Sequence, residues 1–159
     1  MMSEEQFNTA YRQYAALVHH SIMRVVNNRA IADDLMQETF LRFLQKADPA
    51  RPSAHKSFLF QISHNLAVDY LKKFSRVSNF DEIPERPDRR DQISDAEFGM
   101  LRREMVNKML TQDPAYLKIF VLRVDYGMTY DEIASTLSIP KRSLMRYKDQ
   151  LRNILAEFL

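Results

Sequence analysis

Apolar residues that return every three or four positions confine this chain to helices. Between residues 30 and 46, in AIADDLMQETFLRFLQK, the side chains Ile31, Leu35, Met36, Phe40, Phe43 and Leu44 recur at the steps that stack one face of an α-helix. That face is expected to be core. Similar stripes predict helices over 3–27 (Phe7, Tyr11, Tyr14, Leu17, Val18, Ile22, Val25, Val26), from Lys56 onward (Phe58, Leu59, Ile62, Leu66, Tyr70) and over 93–111 (Phe98, Leu101, Met105, Met109, Leu110). Only two glycines in 159 residues, and no long β-branched alternation, argue against strands. The expected fold class is all-α, with two small helical domains, 1–74 and 93–159, joined by a flexible acidic linker over 75–92.

The punctuation between stripes supports this division. Ser3 with Glu5 or Gln6 supplies an N-terminal cap, and Asn27-Asn28 breaks the first helix. The segment 47–56 holds two prolines and reads as a loop, and SRVSNFDEIPERPDRRD over 75–91 is too charged and proline-rich to pack a core. Asp113-Pro114 suits a helix start, and Gly127 suits a left-handed helix end. Thr129 and Glu132 form a capping box for a short helix in which Ile133, Ala134 and Leu137 face inward. Ser138-Ile139-Pro140 then turns into a longer helix opened by Lys141, whose inner side is Leu144, Tyr147 or the Lys148 stem, Leu151, Ile154 and Leu155. This is the pattern of a helix-turn-helix.

Composition excludes several functions. Without cysteine there are no disulfides, thiol nucleophiles or thiolate metal sites, which suits a reducing cytoplasm. His19 and His20 are adjacent and point in different directions, unlike a helical metal pair. No apolar run reaches eighteen residues and the start, MMSEEQF, is polar, so neither a membrane span nor a signal peptide is expected. No catalytic arrangement, metal site or cofactor motif stands out, and an enzyme is not expected. The net charge is +2, with mildly basic lobes flanking the acidic connector. That is thin for a protein that must hold DNA alone.

The outer face of the 31–46 helix places Leu41 among Asp34, Gln37, Glu38 and Gln45. A solvated face would look like this, and so would a docking ridge with an apolar centre and a polar rim. The run Asp34-Leu35-Met36-Gln37-Glu38-Thr39-Phe40-Leu41 resembles the "DLxQExF" core-binding segment of the extracytoplasmic-function group of bacterial sigma factors. The resemblance implies that Asp34, Gln37, Glu38 and Leu41 grip a helical coiled coil on the clamp of core RNA polymerase.

Two further segments carry the same resemblance. In KSFLFQISHNLAVDYLKK, aromatics lie among cations, as capture of an unpaired strand requires, although on composition alone core packing with solvated lysines is the better explanation. This segment resembles the family's "WLxxIAxNxxxDxxR" stretch, which melts promoter DNA and reads the minus-ten element. The implied contacts are Lys56, Phe58 at the tryptophan place, His64, Asn65, Lys72 and Lys73, with Asp69 a structural acceptor. The C-terminal MTYDEIASTLSIPKRSLMRYKDQLRNILAEFL resembles the domain that reads the minus-thirty-five element. There the resemblance implies Arg142 and Arg146 at guanine edges, Lys141, Ser143 and Lys148 at phosphates, and Met145 on the groove side. Ser138 replaces a frequent glycine, and Met145-Arg146-Tyr147 replaces a more basic run, so this helix is less cationic than is usual in the family.

The resemblance implies a sigma factor whose first domain binds core polymerase and the melted minus-ten strand and whose second binds the minus-thirty-five duplex. An anti-sigma factor is a further candidate partner. Two rival readings fit the same residues: a sigma-like decoy that sequesters an anti-sigma factor, and an ordinary helix-turn-helix repressor that dimerises on a palindrome.

Overall fold

The computed structural model describes the backbone of residues 2–77 and 92–158 and the side chains of 2–73 and 101–158. Among these residues there are seven α-helices, one 3-10 turn, one π-helical turn and no strand. The chain divides into two units, Met1–Pro84 and Glu85–Leu159. Of the linker expected over 75–92, residues 78–91 lie outside the described residues.

The N-terminal unit packs α1 (Glu4–Val26), α2 (Arg29–Lys46) and α3 (His55–Val77) against one another in all three pairings. Ser3 starts α1 with a reciprocal cap: its Oγ accepts from the Gln6 amide at 3.2 Å, and its own amide donates to Gln6 Oε1 at 3.0 Å. Asn27 ends α1 in the left-handed region (φ 50°), which asparagine tolerates better than most residues. Asn28 then caps α2, its Oδ1 accepting from the Ile31 amide at 3.1 Å. Two adjacent asparagines thus close one helix and open the next.

The buried stripe of α2 is Ala32, Thr39, Phe40 and Phe43, whereas Ile31, Leu35, Met36 and Leu44, expected on the core face, are half-buried. The stripe is rotated because α2 packs against two neighbours, and the direction of deepest burial falls between them. Thr39 is tolerated there because its hydroxyl donates to the Leu35 carbonyl at 2.7 Å. Phe43 is fully buried and meets Phe40, Phe58 and the ring of His55. His55 Nε2 donates to the Asp48 carbonyl at 2.9 Å, which pins the 47–54 loop to the core; that loop includes the 3-10 turn Pro52–Ala54.

The C-terminal unit comprises α4 (Gln92–Gln112), α5 (Pro114–Phe120), the π-helical turn Val121–Asp125, α6 (Tyr130–Leu137) and α7 (Lys141–Ala156). Asp113 caps α5, its Oδ1 accepting from the Ala115 amide at 2.9 Å, with Pro114 at the first helical position where no amide is needed. The helix expected to run on to Gly127 widens instead at Val121. The Tyr126 amide donates back to Val121 at 3.1 Å and the Met128 amide to Leu122 at 3.0 Å, so that Tyr126 and Met128 are both buried. Gly127 is left-handed (φ 61°), as expected of it.

The Thr129 hydroxyl caps α6 by accepting from the Glu132 amide at 3.2 Å, and donates in turn to the Glu132 carboxylate, which does not reach back to the Thr129 amide as a full capping box would. Ser138 ends α6 in the left-handed region (φ 54°), and the Ile139 amide donates to the Ala134 carbonyl at 3.0 Å. Ile133 and Leu144 are fully buried where α6 and α7 meet, while Ala134 and Leu137 are half-buried. Leu151 and Ile154 complete the inner side of α7.

Candidate partner and nucleic-acid interfaces

On α2 the residues one and two turns apart from Asp34 share the face opposite the core. Asp34 and Gln37 are exposed, Glu38 is partly exposed, and Leu41 is 50% exposed. Arg42 Nε donates to Glu38 Oε1 at 2.7 Å, so one acid of this ridge already holds a cation from its own helix. On the flank nearer α1, His19 Nε2 and Asp33 Oδ1 lie 2.7 Å apart. There too the ring of Tyr11, 40% exposed, sits edge-on to Phe40 at 4.8 Å. Among the described residues no group of three metal-capable side chains occurs.

The residues expected to face the minus-ten strand separate on α3. Phe58, Asn65 and Lys72 follow one another at seven-residue steps and share a line; Asn65, Lys72 and Lys73 are exposed, while Phe58 is half-buried against Phe43. Asp69, also exposed, lies on the same line. Lys56 is nine residues from Asn65, two and a half turns, and so occupies the opposite side of the helix. His64 does not reach the surface. It is 5% exposed and stacks on Phe60 at 5.1 Å, so in this conformation its place is the core, not a DNA contact. Phe60, buried at the centre of the bundle, was not among the stripe residues.

On α7 four of the six expected residues form two pairs, and the other two are half-buried. Arg142 and Arg146, one turn apart, are exposed together with Asp149. Lys141 and Lys148, seven residues apart, lie on a different line and turn toward the start of α6. Lys141 Nζ is 2.9 Å from Asp131 Oδ1, and Lys148 Nζ stands 5.3 Å from the centre of the Tyr130 ring. Arg123 reaches the same ring at 4.7 Å and donates to the Met128 carbonyl at 2.8 Å. Sequence patterning missed Arg123, because the helix breaks at Gly127 and helical spacing carries no meaning across that turn. Ser143 and Met145 are half-buried.

The inner side of α7 is polar as well as apolar. Tyr147 donates its hydroxyl to Asp113 Oδ2 at 3.0 Å, and Tyr116 donates to Gln150 Oε1. The Asp113 carboxylate that accepts this proton raises the Tyr147 phenol above its ordinary pKa, through the hydrogen bond first and its charge second. The rings of Tyr116 and Tyr147 meet edge to face, 5.4 Å apart.

Comparison with known proteins bears on both units. Residues 10–77 match the family described as Sigma-70 region 2. The chain is 27% identical over 157 residues to ECF RNA polymerase sigma factor SigE of Mycolicibacterium smegmatis, an alignment covering 92% of this chain and 60% of that protein. It is 24% identical over 160 residues to RNA polymerase sigma factor CarQ of Myxococcus xanthus, covering 98% and 92% of the two chains. A shorter match, 30% over 66 residues, joins it to ECF RNA polymerase sigma factor SigM of Bacillus subtilis, covering 42% of this chain and 40% of that one. The region-2 match and the alignments that run through the helix-turn-helix support placing the chain with the extracytoplasmic-function group of the sigma-70 family.

Proposed function

We propose that this chain directs core RNA polymerase to specific promoters. Residues 1–74 bind the polymerase clamp and the melted minus-ten strand, residues 75–92 connect, and residues 93–159 read the minus-thirty-five duplex. The observation that carries the proposal is Leu41, a large apolar side chain left half exposed at the centre of a ridge edged by Asp34, Gln37 and Glu38. Burying such a side chain in a partner's pocket, inside a ring of polar contacts, is how interface anchors earn their affinity.

On α3, the Asn65 amide can donate to and accept from the edge of an extruded base, while Lys72 and Lys73 hold the strand's phosphates. On α7, Arg142 and Arg146 point outward as a bidentate reader of guanine requires, and Ser143 and Lys148 hold the backbone, with Lys141 joining them where Asp131 releases it. A net charge of +2 supplies few phosphate contacts. The free chain is therefore a poor duplex binder at physiological salt, and the holoenzyme does the recognising. It contributes binding rather than catalysis, and it works in the cytoplasm beside the polymerase. Among the described residues no helix is long and apolar enough to cross a membrane. An anti-sigma factor acting on this chain would cover the α2 ridge or α7, and competition with core polymerase would reveal it.

The test is transcription in vitro with core polymerase and a promoter library, with start sites sequenced, alongside core pull-down by the wild type, Leu41→Asp and Glu38→Lys. Promoter-selective starts, together with core binding lost in Leu41→Asp, are expected. Core binding unchanged by both substitutions, or tight sequence-specific duplex binding by the free chain, would contradict the proposal.

A further inference from the structure

The hydrogen bond between α7 and the start of α5 is placed where it can set the aim of the outward arginines. Asp113 does two things with one carboxylate: Oδ1 caps α5 through the Ala115 amide at 2.9 Å, and Oδ2 accepts the Tyr147 hydroxyl at 3.0 Å. The cap fixes the orientation in which the carboxylate meets Tyr147. Tyr147 immediately follows Arg146 and lies on the inner flank of α7, so its tie acts on the rotation of the helix about its own axis. A second tie, Tyr116 to Gln150, lies about one turn further along, and the two tyrosine rings brace each other at 5.4 Å. The apolar contacts of Leu144, Leu151 and Ile154 hold α7 down, but apolar packing alone has little directional preference, whereas hydrogen bonds are directional.

We propose that Asp113 and Tyr147 are positioning residues for minus-thirty-five recognition, acting through α7 to aim Arg142 and Arg146 while touching no DNA themselves. This rests on the promoter-reading role proposed above for the C-terminal unit. An arginine fork discriminates guanine only when both of its donors are in register, so a small rotation of α7 costs discrimination before it costs affinity.

The experiment uses holoenzyme assembled from core polymerase and the full chain, and measures binding and transcription across every single-base substitution in the minus-thirty-five element. Tyr147→Phe keeps the ring pair and removes only the hydroxyl. Asp113→Ser keeps a cap for α5 but is too short to reach Tyr147. Each variant is expected to lower base discrimination at the positions read by α7 by about fivefold, with the salt dependence of binding unchanged, because no phosphate contact is lost. The double variant is expected to be no worse than either single one, as two ends of one bond should be. If Tyr147→Phe and Asp113→Ser lower thermal stability yet leave the base profile of the active holoenzyme as in the wild type, the residues are merely structural and the proposal is overturned. If the wild-type holoenzyme shows no dependence on the minus-thirty-five element, the promoter-reading role itself fails and the proposal goes with it.

Discussion

In the N-terminal unit the proposed binding face and the core lie on opposite sides of one helix, α2. Phe40 and Phe43 point inward while Asp34, Gln37 and Leu41 point out. In the C-terminal unit the proposed reading helix has no such clean separation. On α7 the outward arginines alternate with Lys141, held by Asp131, Lys148, set against Tyr130, and Tyr147, bonded to Asp113. A side chain meant for a protein partner can simply be left out of the core, because shape and burial in the partner do the rest. Side chains meant for base edges must be aimed, and the surrounding polar contacts do the aiming. Substitutions in the first unit should therefore affect either folding or binding, and those in the second should affect both in smaller steps.

The sharpest test of that separation is a pair of changes two residues apart. Phe43→Ala removes a fully buried ring that meets Phe40, Phe58 and His55. It is expected to cost about 3–5 kcal/mol, a large part of a small unit's stability, read as a lower denaturant midpoint by circular dichroism. Leu41→Asp is expected to leave the stability read from that midpoint within about 0.5 kcal/mol of the wild type while weakening core polymerase binding by about 30-fold or more. If Leu41→Asp unfolds the unit, the two faces of α2 are not independent and the comparison breaks.

The next effect is smaller and lies in the helix-turn-helix. Ser138 holds a left-handed φ of 54° with a Cβ attached, whereas Asn27 holds φ 50° in the first unit with the side chain that best tolerates it. Ser138→Gly is expected to stabilise the C-terminal unit by about 1 kcal/mol, seen as a higher urea midpoint, and Asn27→Gly to change its own unit by only a few tenths.

These positions also show what was legible from sequence. The two faces of α2 could be read because a period of 3.6 separates them without reference to any neighbour, and Asn27-Asn28 was readable because both residues act on their own backbone. The exact rotation of the core stripe was not, since it depends on where α1 and α3 press. The resemblance implied His64 as a minus-ten contact, and histidine by itself is ambivalent about burial; only the stacked Phe60 ring, whose own burial also went unread, shows that the side chain lies inside the unit. The π-helical turn has no compositional mark. The bond from Asp113 to Tyr147 spans 34 residues, beyond the reach of any local pattern. In the helix-turn-helix, Ile133 and Leu144 were recovered as core, while the neighbours that occupy Lys141 and Lys148 were not.

The smallest expected effect concerns one of those neighbours. Asp131 and Lys141 are both exposed, and an ion pair in that setting adds little to folding, so Asp131→Asn should leave stability unchanged. For DNA its consequences point one way. The ammonium of Lys141 is released to a phosphate, and a carboxylate that repels the backbone is removed. Holoenzyme carrying Asp131→Asn is expected to bind promoter duplex up to about fivefold more tightly, evenly across minus-thirty-five sequences. The slope of log affinity against log salt should steepen by about one, the signature of one further phosphate neutralised. Lys141→Gln in the Asp131→Asn background should return the slope to its wild-type value. A slope unmoved by Asp131→Asn would mean that the aspartate does not restrain Lys141 on DNA, and the contrast between a face left bare in one unit and a helix held by its neighbours in the other would lose its electrostatic half.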